Sequence, residues 1–467
     1  MVEPKRNITE LMLEVAQRAR QETRTEPEPA LADPVKWPVT CTVGPGLEGA
    51  IACESKVGYV NGAKGQLVYC GYDIFDLCTY STYEEVSHLL LYGSLPTAEQ
   101  LKKFKQDLTS CRRLPETLRL VMNFPIEKMN PMAALRLGVN LMRQEFTFVD
   151  KDDLKTSDMN IISTDEDSIP METAPRGEET AIYEFEEKKV VKSPTAPPKS
   201  GLKSAVGLRS CYHLVGGVAT IAAAICRIRQ GKLPIEPDPE LSHAANLLYM
   251  ISGEKPSAEQ ERIMDILLIL HADHGMNAST FAAMVVASTL SDMYFSVGAG
   301  IAALNGPLHG GANEQVLRMF REIGNARNVK SWYQEARKKK QKIMGFGHRV
   351  YKAYDPRGRI LGPLVWYLVQ GNAEALKLYR IAEALEKEVI ATLGKEKKIF
   401  PNVDYYSGLA YNALGIPPEF FTVMFAVSRV AGWTARIEEY LLNNRIFRPR
   451  AMYVGPARRP YVPVKQR

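Results

Sequence analysis

Four short stretches in the second half of the chain combine ionisable side chains with glycine. Each contains a histidine or a carboxylate, the side chains that most often transfer protons in enzymes. Glycine has no side chain and lets a ligand approach the backbone closely. The stretches are Leu270–Asn277, Asn305–Glu314, Ile343–Arg357 and Phe400–Gly408. They are therefore the candidate parts of a reaction site.

The second stretch places His309 in the hexapeptide Gly-Pro-Leu-His-Gly-Gly. A long apolar run of small residues, Ala278–Leu304, precedes it, and a charged, periodic segment, Val316–Ile323, follows it. Pro307 ends the preceding helix, because proline has no backbone N–H to continue it. His309 can be a reacting group or an ordinary histidine in an interhelical loop, and the stretch alone does not decide between them.

The first stretch contains two histidines, His271 and His274, three residues apart. On a helix this spacing would place both on one face, where they could bind a metal ion. No third ligand stands nearby and the zinc-protease pattern His-Glu-x-x-His is absent, so we expect no metal. The interpretation we favour is one histidine donating to an anion and the other lying in the core.

The third stretch contains Gly345 and Gly347, whose backbone amides could meet an adenine or a phosphate. A single Gly-x-Gly is weak evidence, and neither a Walker sequence nor a dinucleotide-binding fingerprint occurs. In the fourth stretch, Asp404 lies near a predicted helix start, so an N-cap role is the alternative to a catalytic one. The chain has no Gly-x-Ser-x-Gly nucleophile motif.

Together the four stretches match the needs of one reaction. Forming an enol from a thioester methyl group requires a carboxylate base and a hydrogen-bond donor at the thioester oxygen. Condensing that enol with an α-keto acid requires a second donor at the ketone and cations at the carboxylates. One acid, two or three histidines and several arginines suit this chemistry.

From about residue 46 to 455, the chain resembles the citrate synthase family. The resemblance rests on motifs that occur in the family's order: Gly46–Gly49, Gly71–Ile74, Gly306–Gly311, Gly345–Val350, Pro401–Asp404 and Arg448–Arg450. It implies that Asp404 removes the methyl proton of acetyl-CoA. It also implies that His309 donates to the thioester oxygen and that His348 donates to the carbonyl oxygen of oxaloacetate.

The same resemblance implies the binding residues. His274, Arg357 and Arg429 would bind oxaloacetate, and Arg448 would reach the site of a second subunit, which makes a homodimer part of the mechanism. Guanidinium groups suit this task because their fork matches a carboxylate. The implied CoA-binding residues are Met344, Gly345, Phe346, Gly347, Lys395 and Lys397. The resemblance implies no cofactor, since acetyl-CoA is a substrate, and it places the enzyme in the tricarboxylic acid cycle.

The hydrophobic periodicity predicts a mainly α fold with a small N-terminal β-hairpin within 39–69. We expect an amphipathic helix in 1–24, helix starts at Thr82 and Thr97, and a helical run over 279–304. The resemblance implies a large helical domain and a smaller one that closes over the active site. The expected parts are an extension and linker at 1–38, the large domain at 39–312 and 427–467, and the small domain at 313–426. An acidic insertion at 147–200 lacks apolar periodicity, so we expect it to be flexible.

Composition excludes several classes of protein. The net charge of +6 is small for 467 residues, so it predicts no nucleic-acid partner. Seven scattered cysteines without a Cys-x-x-Cys indicate reduced thiols in a cytoplasmic compartment. The N-terminus lacks the apolar core of a signal peptide, and we expect the apolar run to be a buried helix and not a membrane span.

Two alternatives to citrate synthesis stay open. A 2-methylcitrate synthase would use propionyl-CoA, and one methylene in an apolar pocket is worth only about 1–3 kcal/mol, too little to read from sequence. A catalytically silent relative could bind CoA or act as a scaffold through the acidic insertion. The presence of Asp404, His309 and His348 together argues against the silent alternative, because such a relative does not need all three.

Overall fold

The chain folds mainly into α-helices, as the sequence predicts. A computed structural model describes residues 7–23, 37–143, 205–451, 453–455 and 461–467. One small antiparallel sheet contains β1 (Gly58–Asn61), β2 (Gln66–Tyr69) and β3 (Tyr72–Asp73) in that order. Gly58 pairs with Tyr69 and Asn61 with Gln66, so the predicted hairpin is confirmed.

Two of the first six helices begin at the predicted starts, Thr82 and Thr97. The six are α1 (Ile8–Glu22), α2 (Ile74–Tyr80), α3 (Tyr83–Tyr92), α4 (Ala98–Ser110), α5 (Pro115–Val121) and α6 (Pro131–Leu141). Thr82 caps α3 by accepting from the backbone N–H of Glu85, and Thr97 forms a capping box with Gln100 at α4. The amphipathic α1 buries Met12, as its pattern predicts.

The remaining helices supply the elements around the site. They are α7 (Ala205–Arg229), α8 (His243–Ser252), α9 (Ala258–His271), α10 (Ala278–Ser288), α11 (Met293–Leu304), α12 (Ala312–Ile323), α13 (Val329–Lys338), α14 (Pro356–Leu368), α15 (Ala373–Val389), α16 (Lys395–Lys397), α17 (Val403–Ala413) and α18 (Phe421–Leu441).

The expected continuous helix over 279–304 is wrong, because the chain breaks between α10 and α11. Leu290 adopts a left-handed backbone conformation with φ of 63°, which no continuing helix allows. Asp292 then starts α11 by accepting from the backbone N–H of Phe295. In the sequence, Thr289, Ser291 and Asp292 interrupt the apolar run at this break.

The core is built around α18, which packs against α3, α7, α9, α10 and α11. Trp433 on this helix is fully buried, and it lies against Gly300 of α11, where an added Cβ would be 3.0 Å from the indole ring. Helix α7 is long and apolar enough to cross a membrane by composition, but 83% of its apolar window is buried inside the protein. That burial is typical of a core helix.

The predicted division into two domains remains a prediction. Its first boundary, at 312–313, coincides with the start of α12, but its second, at 426–427, falls inside the uninterrupted helix α18. In the predicted extension, Glu22 at the end of α1 forms an ion pair of 2.5 Å with Arg359 on α14. The acidic insertion at 147–200 lies outside the described residues.

Candidate active site

Two of the predicted histidines, His274 and His348, lie against each other. Their ring centroids are 5.2 Å apart at an angle of 74°. His274 lies in the turn after α9, and His348 lies in the loop before α14, so residues 74 positions apart in sequence share one contact. Tyr351 packs on both rings, with centroid distances of 5.5 Å to His274 and 4.8 Å to His348.

The backbone determines which nitrogen of His348 carries a proton. Its Nδ1 lies 3.0 Å from the backbone N of Val350 and 3.2 Å from that of Tyr351. Both of these backbone N–H groups can only donate, so Nδ1 is the acceptor and the neutral ring carries its proton on Nε2. Burial lowers the pKa of His348 to about 4, so the ring is neutral near pH 7. It therefore offers one donor, Nε2–H.

His309 is held in the opposite tautomer. Its Nε2 accepts from the backbone N–H of Ser279 at 3.2 Å and lies 2.9 Å from the Ser279 hydroxyl. The ring proton is therefore on Nδ1. Burial, followed by the charge of Arg429, lowers the pKa of His309 to about 4. Ser279 lies in the first turn of α10, so the N-terminus of a helix fixes the tautomer of His309.

Asp404 lies in the first turn of α17 and is partly buried. The N-cap alternative for Asp404 is wrong, because Asn402 is the cap and accepts from the backbone N–H of Asp404 at 3.0 Å. Burial raises the pKa of Asp404 to about 6 against the lowering effect of Arg357, and the neighbouring Asp355 adds to the rise. A carboxylate with this pKa is a stronger base than an exposed one and is still ionised near pH 7.

Asp355 joins Arg357 to the start of α17. Its carboxylate forms a two-point pair with Arg357, with Nε–Oδ1 of 3.0 Å and Nη2–Oδ2 of 2.7 Å. The same carboxylate accepts from the backbone N–H of Val403 at 3.2 Å. Asp355 is 1% exposed and Arg357 2%, so the pair is held rigidly beside Asp404.

Arg429 projects from α18 towards the end of α9. Its Nε donates to the backbone carbonyl of His271 at 2.5 Å, and its Cζ lies 4.6 Å from the ring centre of Phe425. Its Nη2 is buried and has no hydrogen-bond partner among the described residues. A buried guanidinium group with a free donor is suited to binding a carboxylate.

His271 lies in the core, as one of the two interpretations of the first stretch requires. Its side chain is fully buried, its Nδ1 is 2.7 Å from the Leu267 carbonyl, and its ring packs edge-on against Phe425. Burial lowers its pKa to about 3, which keeps the ring neutral. His274 is thus the member of the pair that lies among the candidate site residues.

The glycine loop before His348 is tied to the segment that carries Asp404. The backbone N–H of Gly347 donates to the Phe400 carbonyl, and that of Asn402 donates to the Gly345 carbonyl, both at 2.9 Å. Gly345 has φ of 79°, and an added Cβ would lie 2.8 Å from the ring of Tyr405. Only glycine permits this close approach, so these contacts fix the third stretch on the fourth.

A cavity of about 220 Å³ lies beside the His309 loop. Its walls include Pro307 and Gly310 from that loop and Met344 from the glycine loop. Of the other predicted CoA residues, Gly345 and Phe346 are buried, Gly347 is partly buried and Lys397 is exposed on α16. The side chain of Lys395 lies outside the described residues.

One predicted substrate residue, Arg448, is separate from the others in the single chain. Its side chain is exposed, and its Nη1 lies 3.2 Å from the neighbouring Pro449 carbonyl. The preceding residue, Phe447, packs on Phe281 of α10 with a ring distance of 5.5 Å. The C-terminal segment is thus anchored to the helix that carries Ser279, while Arg448 points to solvent.

Sequence analysis missed three residues that organise this site. Ser279 and Tyr351 show no local signal, because their partners are distant in the chain. Asp355 has a partial signal, since an aspartate before a proline at the first helical position is a typical N-cap. The cap is confirmed by the bond from the backbone N–H of Arg357, but the carboxylate's pairing with the Arg357 side chain requires the fold.

Comparisons with known proteins give the same family as the sequence motifs. The family model described as "Citrate synthase, C-terminal domain" matches residues 46–450. The citrate synthase of Deinococcus radiodurans is 38% identical over 91% of this chain and 99% of its own. The citrate synthase structure from Pyrobaculum aerophilum is 40% identical, covers 94% of this chain and all of its own, and has a TM-score of 0.75.

A second similar structure contains ligands. It is a ternary complex of carboxymethyl coenzyme A and oxaloacetate with the citrate synthase of Thermoplasma acidophilum. It is 32% identical to this chain, covers 92% of it and all of its own length, and has a TM-score of 0.75.

Proposed function

The chain belongs to the citrate synthase family, and from this premise we propose that it condenses acetyl-CoA with oxaloacetate and water to give citrate and CoA. The observation that carries the proposal is the pair of fixed tautomers. Backbone N–H groups occupy Nε2 of His309 and Nδ1 of His348. Each neutral ring therefore presents one N–H donor to a ligand, as an enol-forming condensation requires at two different oxygens.

The first step is enol formation. Asp404, whose pKa is raised to about 6, removes a proton from the methyl group of acetyl-CoA. Nδ1–H of His309 donates to the thioester oxygen as negative charge develops there. A neutral histidine suits this role, because it donates a hydrogen bond to the developing negative charge, and its low pKa keeps the ring neutral near pH 7.

The second step forms the carbon–carbon bond. The enol carbon attacks the ketone carbon of oxaloacetate, and Nε2–H of His348 donates a hydrogen bond to the ketone oxygen as negative charge develops there. That oxygen becomes a hydroxyl with the proton that Asp404 removed from the methyl group, so Asp404 and His348 both end in their starting protonation states. His274, Arg357 and Arg429 hold the oxaloacetate carboxylates, and all three are at least 90% buried, which strengthens charge pairing. Water then adds to the thioester carbon, the carbon–sulfur bond breaks, and CoA leaves as the thiol.

Binding of CoA is assigned to the glycine loop. Met344, Gly345, Phe346 and Gly347 would contact the adenine, and the cavity bounded by Met344 and the His309 loop supports this placement. Lys395 and Lys397 would bind phosphates. The proposed small domain, 313–426, carries the glycine loop and Asp404, so its closure on the large domain would exclude water until the bond has formed.

We further propose a homodimer that completes the site. Arg448 is exposed at the end of an anchored segment, so it is free to reach oxaloacetate bound by a second subunit. Mixing inactive Arg448→Ala protein with inactive Asp404→Asn protein tests this directly. Dimers exchanged between the two contain one site with both native residues and should regain up to about a quarter to a half of wild-type activity. No recovery after verified subunit exchange would refute the shared site.

The activity itself is tested by thiol release. Purified protein with acetyl-CoA should release CoA thiol only when oxaloacetate is added, and mass spectrometry should identify citrate as the product. Parallel rates with propionyl-CoA distinguish a 2-methylcitrate synthase. A folded protein that binds CoA but releases no thiol with either acyl-CoA would refute the enzyme and support the silent relative.

A further inference from the structure

Tyr351 contacts three of the residues assigned to oxaloacetate. Its hydroxyl oxygen lies 3.2 Å from Nε2 of His274, and its backbone N–H donates to Nδ1 of His348 at 3.2 Å. The guanidinium carbon of Arg357 lies 6.0 Å from the centre of its ring. One residue thus contacts His348 and Arg357 of its own stretch and His274 of a distant one.

The hydroxyl of Tyr351 stays protonated under all working conditions. The side chain is 3% exposed, and burial followed by the charge of Asp355 raises its pKa well above 10. The contact with His274 is therefore a hydrogen bond between a neutral hydroxyl and a neutral ring. It restrains the orientation of the His274 ring, because a hydrogen bond weakens when its distance or angle departs from the preferred range.

The loop that carries Tyr351 is itself held by the β1–β2 turn. The backbone N–H groups of Lys352 and Ala353 both donate to the Gly62 carbonyl, at 2.9 and 3.2 Å. An added Cβ at Gly62 would lie 2.1 Å from the Val350 carbonyl oxygen, so the two backbones meet with no space for a side chain. Tyr351 is thus anchored from the sheet as well as from the histidines.

We propose that Tyr351 is a positioning residue for oxaloacetate, which orients His274 through its hydroxyl and His348 through its backbone N–H. The proposal rests on the proposed function and deepens it. It follows that the hydroxyl and the backbone N–H of Tyr351 have different roles. Removing the hydroxyl affects His274 and substrate binding, whereas the backbone bond that fixes the tautomer of His348 remains.

The chain provides a matched control in Tyr354, three residues further along the same loop. Its hydroxyl donates to Glu386 and contacts neither histidine in the described structure. Tyr351→Phe and Tyr354→Phe each remove one tyrosine hydroxyl, and Tyr354→Phe loses at least as much stability because the partner of Tyr354 is a carboxylate. Only Tyr351→Phe is expected to weaken the binding of oxaloacetate.

We expect Tyr351→Phe to raise the KM for oxaloacetate about tenfold, equivalent to about 1.4 kcal/mol, with kcat and the KM for acetyl-CoA changed less than threefold. Titration of oxaloacetate into the enzyme without acetyl-CoA should show the same tenfold weakening of Kd. Tyr354→Phe should keep the wild-type constants. Equal oxaloacetate constants for the two variants, or a Tyr351→Phe chain that does not fold, would overturn the proposal, because the hydroxyl would then be structural only.

A double-mutant cycle tests whether Tyr351 acts through His274. In a His274→Ala background, Tyr351→Phe should change oxaloacetate binding by less than about twofold, because the partner of the hydroxyl is already gone. A full tenfold effect in that background would contradict the proposal. The outcome is separable from the proposed function: wild-type protein that releases no thiol refutes the reaction, whereas active wild type with an unchanged Tyr351→Phe refutes only this inference.

Discussion

The pH dependence of turnover tests the assignment of Asp404 as the base. Its pKa is raised from 3.8 to about 6 by burial, against the lowering effect of Arg357. At pH 5 about one-tenth of such carboxylates are ionised, whereas more than nine-tenths of an unperturbed aspartate would be. Because only the carboxylate accepts the methyl proton, kcat/KM should fall about tenfold between pH 7 and pH 5 with a slope of one.

The histidines do not produce this fall. The pKa values of His309 and His348 are both lowered to about 4, so both rings stay neutral and keep their single N–H donors down to about pH 5. An acidic limb near pH 6 therefore reports Asp404. Acetyl-CoA deuterated at the methyl group provides the check, since a slower rate with the deuterated substrate shows that proton removal is being measured.

Replacement of Asp404 by asparagine is the matched variant. It should reduce kcat by about 10²–10⁴-fold, leave oxaloacetate binding intact and abolish the limb near pH 6. Since the folded pKa lies above the unfolded value of 3.8, ionisation of Asp404 destabilises the native state. Asp404→Asn should therefore melt at a higher temperature than wild type above pH 6, and this difference should vanish below about pH 4.

Two results would refute the reasoning. If the kcat/KM of the wild type fell only below about pH 4.5, burial would not raise the pKa of Asp404 in the working enzyme. A limb near pH 6 that persists in the residual activity of Asp404→Asn would assign it to a different group.

Three further predictions concern neighbouring features. Ser279→Ala should lower kcat less than about tenfold, because the backbone N–H of residue 279 still donates to Nε2 of His309. A loss of kcat as large as that of His309→Ala would contradict this assignment of the tautomer. Arg436 and the fully buried carboxylate of Asp273 form an ion pair of 2.7 Å. Arg436→Met leaves that carboxylate without this partner and should lower the free energy of unfolding, measured by urea titration, by about 3–5 kcal/mol. A loss below about 1 kcal/mol would show that the pair is dispensable. Deleting 147–200 should leave the thiol-release rate largely unchanged, and a folded but inactive deletion would show that the insertion takes part in function.

Much of the site was predictable because its residues lie in short, dense motifs. Glycine, proline and histidine in one loop indicate both a helix end and a possible reacting group, but the roles of His309, His348 and Asp404 were predicted only from the family resemblance of the motifs taken together. Helix type was also predictable, since apolar periodicity and caps such as Thr82 act within a few residues. The break at Leu290 was missed, although Thr289, Ser291 and Asp292 interrupt the apolar run there.

The protonation states required the tertiary structure. A histidine's tautomer depends on which donors surround it, and those of His309 come from Ser279, thirty residues earlier. Burial raises the pKa of Asp404 and Arg357 lowers it, and neither effect has a local sequence signal. The contact between the Tyr351 hydroxyl and His274 likewise could not be predicted from sequence, because only the fold brings the two side chains together.

The sequence by itself thus determined the helical class, the order of the site motifs and the types of reacting group, because these depend on local propensity and on side-chain chemistry. Only the tertiary structure decided which ring nitrogen carries the proton, which carboxylate has a raised pKa and which arginine is already paired. These properties depend on distances of about 3 Å between residues far apart in the chain, and the folded backbone alone sets such distances.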